Sequence, residues 1–135
     1  MKILVIEDDK IAQLGIKKIF GAAEFPVQIT LAENGQQGID ALKKNPSDLP
    51  DVILLDLNMP LMNGLEFLQA VDQDDVLKYI PVVVHTTSDN IADIQNCRKL
   101  NVSGYFVKSI DYAQYKFNLQ TIAAYWSQSK QINIL

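Results

Sequence analysis

Three consecutive acids, Glu7, Asp8 and Asp9, follow directly on the apolar run Ile3–Ile6, and a fourth, Asp56, closes the run Val52–Leu55. Two further apolar runs end in other polar groups: Thr86-Thr87-Ser88 after "PVVVH", and Lys108-Ser109 after "GYFV". Carboxylates gathered in one pocket repel, and taking them out of water is costly unless positive charge compensates. A hard divalent cation with oxygen ligands supplies that charge, and Mg²⁺ combines few carboxylates with waters and phosphate oxygens. Apart from His85, beside Thr86, no His or Cys stands at these positions, which argues against zinc. A hydroxyl and an ammonium next to such a site suit the oxygens of a phosphoryl group. A carboxylate can itself be the nucleophile, giving an aspartyl phosphate.

Taken one at a time these residues mean little. An acid after a strand is most often a helix N-cap, the role expected of Asp9. Thr86 alone reads as a strand-end residue and Lys108 as a solvated amine. Four such groups closing four apolar runs reverse that balance, provided the fold brings the runs together.

The elements needed to do so are legible. Short β-rich runs at 2–6, 27–32, 51–56, 81–86 and 104–108 alternate with segments of helical period. Several runs are continuously apolar, as in parallel strands covered on both faces. Ala12, Ile16, Ile19, Phe20 and Ala23 follow the Asp9 cap at helical spacing. Ile39, Ala41 and Leu42 follow Asn34; Leu65, Leu68 and Val71 follow Asn63-Gly64; Ile91, Ile94 and Cys97 follow Ser88 or Asp89. Tyr112, Tyr115, Leu119, Ile122, Ala123 and Trp126 form the clearest stripe, behind Asp111. Five β–α units in alternation imply an α/β fold, a doubly wound five-stranded parallel sheet with helices on both faces. Ligands of such sheets bind beyond the carboxyl ends of the strands, where strand order reverses. That is the rim these polar groups would share.

At 135 residues the chain suits one domain, and its 48% hydrophobic and 21% charged content is that of an ordinary globular protein. A net charge of −4 without a run of Lys or Arg disfavours direct nucleic-acid binding. No apolar stretch approaches the ~18 residues of a membrane span. The apolar run at the start is too short for a signal peptide and ends in acids. Cys97 is the only cysteine, so no internal disulfide can form and the cytoplasm is the expected location.

The acid pair after "ILVI", the segment "DVILLDLNMPLMNGLEFL", the strand "PVVVHTT" and "VSGYFVKS" together resemble a CheY-like receiver domain of two-component response regulators. The resemblance runs in order from Lys2 to about Trp126. It implies a flavodoxin-like (βα)5 fold with strand order 2-1-3-4-5, a receiver domain at 1–128 and a C-terminal tail at 129–135. It further implies that Asp56 is the phosphoacceptor, and that Glu7, Asp8, Asp56 and the backbone carbonyl of Asn58 hold Mg²⁺, with Mn²⁺ as an alternative. Thr86 and Lys108 would then bind the phosphoryl oxygens. Tyr105 would follow Thr86, changing the face made by the fourth strand, fourth helix and fifth strand.

The implied function is that of a single-domain response regulator. A histidine kinase or histidine phosphotransfer protein phosphorylates Asp56, and a conformational switch alters contact with a downstream protein target. With nothing after Leu135 to bind DNA or catalyse a reaction, the chain is read as a regulator, not an enzyme. A phosphorelay intermediate is the alternative. A Mg²⁺-dependent aspartyl-phosphate phosphatase fits less well, because such enzymes carry a second Asp where Asn58 stands. A flavin-binding electron carrier shares the architecture, but acids after the first strand would repel its phosphate.

Some positions depart from the family pattern. Ser109 replaces the usual Pro, and Lys108–Ser109 is expected to stay cis so that Lys108 aims into the pocket, despite a cost of about 2.5–4 kcal/mol. Pro60 and Gly64 should shape the loop after Asp56, Gly64 through an unusual backbone angle. His85 should point away from Thr86, as a packed or surface histidine and not a phosphoryl carrier. The C-terminal "IAAYW" spacing and short tail are similar to small regulators paired with bacterial phytochromes. If "QINIL" docks on a partner subunit, a homodimer through the last helix and tail is the natural arrangement; a frayed tail is the alternative.

Overall fold

A computed structural model of the chain describes residues 1–130, so the tail Gln131–Leu135 lies outside the described residues. Five strands, β1 (Lys2–Ile6), β2 (Gln28–Ala32), β3 (Val52–Leu55), β4 (Val82–Thr86) and β5 (Gly104–Val107), form one sheet. Its order is β2-β1-β3-β4-β5 with every pairing parallel. The helices are α1 (Lys10–Gly21), α2 (Gly35–Lys44), α3 (Gly64–Asp72), α4 (Ile91–Lys99) and α5 (Tyr112–Gln128), with a 3₁₀ turn at Leu77–Tyr79 before β4. The parallel sheet read from the β–α alternation and the strand order implied by the receiver resemblance are both observed.

Strand alternation divides the core in two. Leu4, Ile6, Ile53, Leu55, Val82 and Val84 turn to the side of α2, α3 and α4. Ile3, Val5, Val52, Leu54 and Val83 meet Ile16, Ile19 and Phe20 of α1 and Leu119, Ile122 and Ala123 of α5. Burying one such large side chain stabilises by roughly 1.5–3 kcal/mol, which fixes the register that sets the strand ends side by side.

Local chemistry starts each helix. Asp9 caps α1, accepting from the Ile11 and Ala12 amides, and Asn34 caps α2. Asn63 and Glu66 form a capping box on α3. The fourth helix begins later than expected: its cap is Asn90, not Ser88 or Asp89. Its stripe also differs from expectation, since only Cys97 is buried while Ile91 is 71% and Ile94 38% exposed. In α5, Tyr112 is likewise exposed, and Leu119, Ile122 and Ala123 carry the packing. Ala23 lies beyond the end of α1.

Two backbone expectations are overturned. Gly64 does not have a positive φ. A Cβ there would lie 2.6 Å from the Asp56 carbonyl oxygen and 2.7 Å from the Leu57 Cα, so glycine is required by close approach of two backbones. The left-handed residue of that loop is Leu61, at φ 63°. No peptide bond among the described residues is cis: Lys108–Ser109 is trans, the cheaper isomer for a bond without proline, and Lys108 reaches the rim by another loop path.

Candidate functional site

The carboxyl ends of β1 and β3 build the acidic part of the rim. Ile6 pairs with Leu55, and the Asp56 amide donates to the Ile6 carbonyl at 3.0 Å. One step further along each strand, Glu7 and Asp56 therefore stand side by side and buried, with Asp8 on the exposed side. One carboxylate oxygen from each of the three lies within 4.8 Å of the others. A shallow cleft lined by Asp8, Leu57, Asn58, Met59, Pro60 and Asn63 opens beside them.

Lys108 reaches this group from the end of β5. Its Nζ lies 2.5 Å from Glu7 Oε1 and 3.2 Å from Asp56 Oδ2. The backbone amide of Lys108 donates to the Thr86 carbonyl at 2.6 Å, which ties the lysine to β4. One ammonium thus faces three carboxylates. Burial pushes Glu7 up to about 7; Lys108 pulls it down while Asp56 adds to the rise. Burial also works against the charge on Lys108, but Glu7 and Asp56 hold its pKa above the ordinary value. An oxygen-only donor set with surplus negative charge suits a hard divalent cation.

The remaining residues read from the sequence stand close by in different roles. The Asn58 amide donates to Asp56 Oδ1 at 3.3 Å, which helps orient that carboxylate. Thr86 is fully buried, and its Oγ1 accepts from the Ser88 amide at 3.3 Å instead of bonding to Asp56. Tyr105 donates its hydroxyl to the Ser88 carbonyl at 2.8 Å. Thr86 and Tyr105 are thus joined through Ser88, whose own hydroxyl donates to Asp93 of α4 at 2.6 Å. His85 points to the α5 side, as alternation along β4 requires.

These strand-end groups carry the order of the receiver motifs, and the sequence matches that family over most of its length. A family model described as the response regulator receiver domain matches residues 3–119. The chain belongs to this family. The receiver domain is similar to response regulator Rcp1 of Synechocystis sp., 30% identical over 131 residues, which cover 94% of this chain and 89% of Rcp1. It is equally similar to the probable methanogenesis regulatory protein FilR2 of Methanothrix harundinacea, 30% identical over 92% of this chain and 82% of that protein. Among solved structures, the Mn(2+)-bound form of Rcp1 matches with a TM-score of 0.89 at 29% identity, covering 98% of this chain and 99% of Rcp1. The phosphorylated cyanobacterial phytochrome response regulator RcpA matches at 0.88 and 32% identity, with 94% of each chain covered. Among the described residues no helix is long and apolar enough to cross a membrane.

Two contributors to the rim of this receiver domain escape a reading of strand ends. Gln13 of α1 is buried, and its Nε2 donates to the Glu7 carbonyl at 2.5 Å, fixing the turn that presents the acids. The only sequence signal is a polar residue three before Ile16, on the inward stripe. Tyr115 of α5 packs its ring against His85 with centroids 5.2 Å apart; the sequence offered it only as part of the apolar stripe.

Proposed function

We propose that this receiver domain accepts a phosphoryl group on the Asp56 carboxylate from a phosphohistidine donor protein and reports its state through the β4, α4 and β5 face. The observation that carries the reading is the Lys108 ammonium held between Glu7 and Asp56, with a third acid on the solvent side. Glu7, Asp8, Asp56 and the Asn58 carbonyl would hold Mg²⁺, or Mn²⁺ in its place. When bound, the cation offsets charge on the phosphoryl oxygens.

The protein's own groups divide the remaining work. The Asn58 amide and Lys108 each hold one oxygen of Asp56, which orients the nucleophile. An Asp56 oxygen bonds to phosphorus as the P–N bond to the donor imidazole breaks, the ring nitrogen keeping the electron pair. Lys108 turns from the carboxylates toward the new phosphoryl oxygens and balances their charge. Exposed Ile11 in the first turn of α1, with Leu61 and Ile110 on the connections around the rim, favours a protein donor over a free metabolite.

Thr86 couples this chemistry to the surface. To pair with the phosphoryl group its hydroxyl leaves the Ser88 amide, and Ser88 is also the residue that Tyr105 and Asp93 hold. The phosphoryl group therefore favours a second arrangement of the β4–α4 connection, and a downstream protein reads the difference. The domain acts on no substrate but its own Asp56. Onward transfer to a phosphotransfer protein, as in a relay, uses the same site.

Intact mass after treatment with acetyl phosphate and Mg²⁺ tests the reading. Wild type gains about 80 Da, the mass of one phosphoryl group, and Asp56→Asn does not. An equal adduct on both proteins, or none on wild type, would sink it.

A further inference from the structure

β4 leaves the site by two routes, because adjacent residues point to opposite faces of the sheet. Thr86 faces the α4 side and is absorbed by the mechanism above. His85 faces α5 and is not. It is 2% exposed, and its Nε2 has no hydrogen-bond partner among the described residues. A buried polar atom left unpaired bears its full desolvation cost, and an apolar side chain of similar size would avoid it.

The surroundings of His85 connect it to both the site and the surface. On β3 its register neighbour, one step beyond the Leu55–Val84 pair, is Asp56. On β5 it pairs with Phe106, two residues before Lys108. The Tyr115 ring lies 5.2 Å away, tilted by 53°. Tyr115 in turn stacks on Tyr112 with centroids 6.3 Å apart, and Tyr112 is 64% exposed at the start of α5. Tyr115 is half-buried, and its hydroxyl, unlike His85 Nε2, is open to solvent. Burial raises Tyr115, and Lys108, Glu7 and Asp9 all act on it electrostatically, so this ring lies within the field of the rim.

We propose that His85 and Tyr115 are a second outlet from the phosphorylation site: when Asp56 is phosphorylated, His85 Nε2 and the Tyr115 hydroxyl pair, and the start of α5 moves with Tyr112. The proposal rests on Asp56 being the phosphoacceptor. Its physical basis is differential satisfaction. His85 Nε2 is unpaired and buried in this structure, so a small approach of α5 to β4 that brings in the Tyr115 hydroxyl satisfies an atom that the present arrangement leaves without a partner. Lys108 supplies the trigger, because its turn toward the phosphoryl group shifts the β5 end next to which His85 packs. His85 and Tyr115 are positioning residues: neither touches the reacting atoms. Two signals would then leave one site, one through Ser88 to α4 and one through Tyr115 to α5.

Amide hydrogen exchange with and without acetyl phosphate and Mg²⁺ separates the outlets, with intact mass verifying the adduct in every sample. In wild type, phosphorylation slows or speeds exchange at the start of both α4 and α5. His85→Leu and Tyr115→Phe are each expected to keep the adduct and the α4 response while reducing the α5 response at least five-fold. The double variant should lose no more than either single one. Tyr115→Phe retains the ring and its packing, so it guards against a folding defect, and His85→Gln, which restores a hydrogen-bonding nitrogen, should recover most of the α5 response. A residue with a merely structural role would change resting exchange without touching the phosphorylation-dependent difference. An α5 response equal to wild type in either single variant would overturn the outlet, as would loss with His85→Leu that His85→Gln does not recover. Absence of any adduct on wild type would instead overturn the phosphoacceptor reading, and the outlet with it.

Discussion

Helices α4 and α5 flank the same edge strand, β5, yet they are held in opposite ways. α5 sinks Leu119, Ile122 and Ala123 into the core it shares with α1. α4 buries Cys97 alone and leaves Ile91 and Ile94 facing water, and its start is secured by polar contacts among Ser88, Asp93 and Tyr105. Apolar anchoring is non-directional and hard to shift, whereas a few hydrogen bonds at a loop can be exchanged for others at small cost. The comparison teaches where conformational change is cheap. α4 can be re-seated by rearranging one loop at the site, while α5 can only tilt about a fixed hydrophobic line.

The sharpest way to break this contrast is to weaken the anchor. Leu119→Ala should cost about 2–5 kcal/mol, since Leu119 is fully buried and the cavity left behind cannot collapse onto a rigid sheet. Urea unfolding with an unchanged slope reports this directly. A loss below about 1 kcal/mol would mean that α5 is no better anchored than α4.

A second test uses pH and the floor of the site. Burial, then the nearby Lys108 ammonium, push His85 down to about 4, with Asp56 partly opposing. At pH above about 6.5 the imidazole is neutral folded or unfolded, and contributes no pH dependence. As pH falls from there to about 4, the unfolded chain takes up the proton first, so stability declines, by roughly 3 kcal/mol over the full interval. Glu7, raised to about 7 by burial, acts in the opposite sense over an overlapping range, so wild type must be compared with His85→Leu. The difference isolates His85: the variant should gain on wild type steadily below pH 6.5. Parallel stability curves would show that His85 is not buried as a neutral base.

Much of this could be read from the sequence, for reasons that also explain the failures. Continuous apolar runs alternating with helical periods leave few topologies, and a parallel sheet delivers its strand ends to one rim, so the sequence alone puts Asp56, Thr86 and Lys108 there. Periodicity cannot say whether an apolar stripe faces a core or a partner. Ile91 and Ile94 have the spacing of a buried face and are exposed. Glycine has two physical uses, and Gly64 was assigned the wrong one: its neighbours in the sequence signal a turn, but not that the Asp56 backbone passes 2.6 Å from where a Cβ would stand. Gln13 was missed because a buried polar side chain looks like a surface one until its acceptor, the Glu7 carbonyl, is in place. The trans Lys108–Ser109 bond shows that a pattern borrowed from proline does not survive its loss.

The polar latch of α4 offers a smaller effect. Tyr105→Phe removes the hydroxyl bonded to the Ser88 carbonyl, at a cost of about 0.5–1.5 kcal/mol. Amide exchange should accelerate across α4 and hardly change in α5. Uniform acceleration in both helices would contradict the idea that the latch secures α4 alone.

The smallest effect on stability should accompany a large effect on function. Ile91→Ser alters a side chain that is 71% exposed, so unfolding free energy should stay within about 0.5 kcal/mol of wild type. If α4 is the face presented to a downstream protein, Ile91 is part of what that protein covers, and its loss should weaken complex formation by about ten-fold or more, in the range of a buried interface anchor. Phosphorylation of Asp56 should proceed as in wild type, because Ile91 touches none of Glu7, Asp8, Asp56 or Lys108. Equal binding of the phosphorylated variant and wild type to the same partner, measured by titration calorimetry, would remove α4 from the output face. The exposed isoleucines would then need another reason, and the anchored helix, α5, would become the surface on which the state of the site is read.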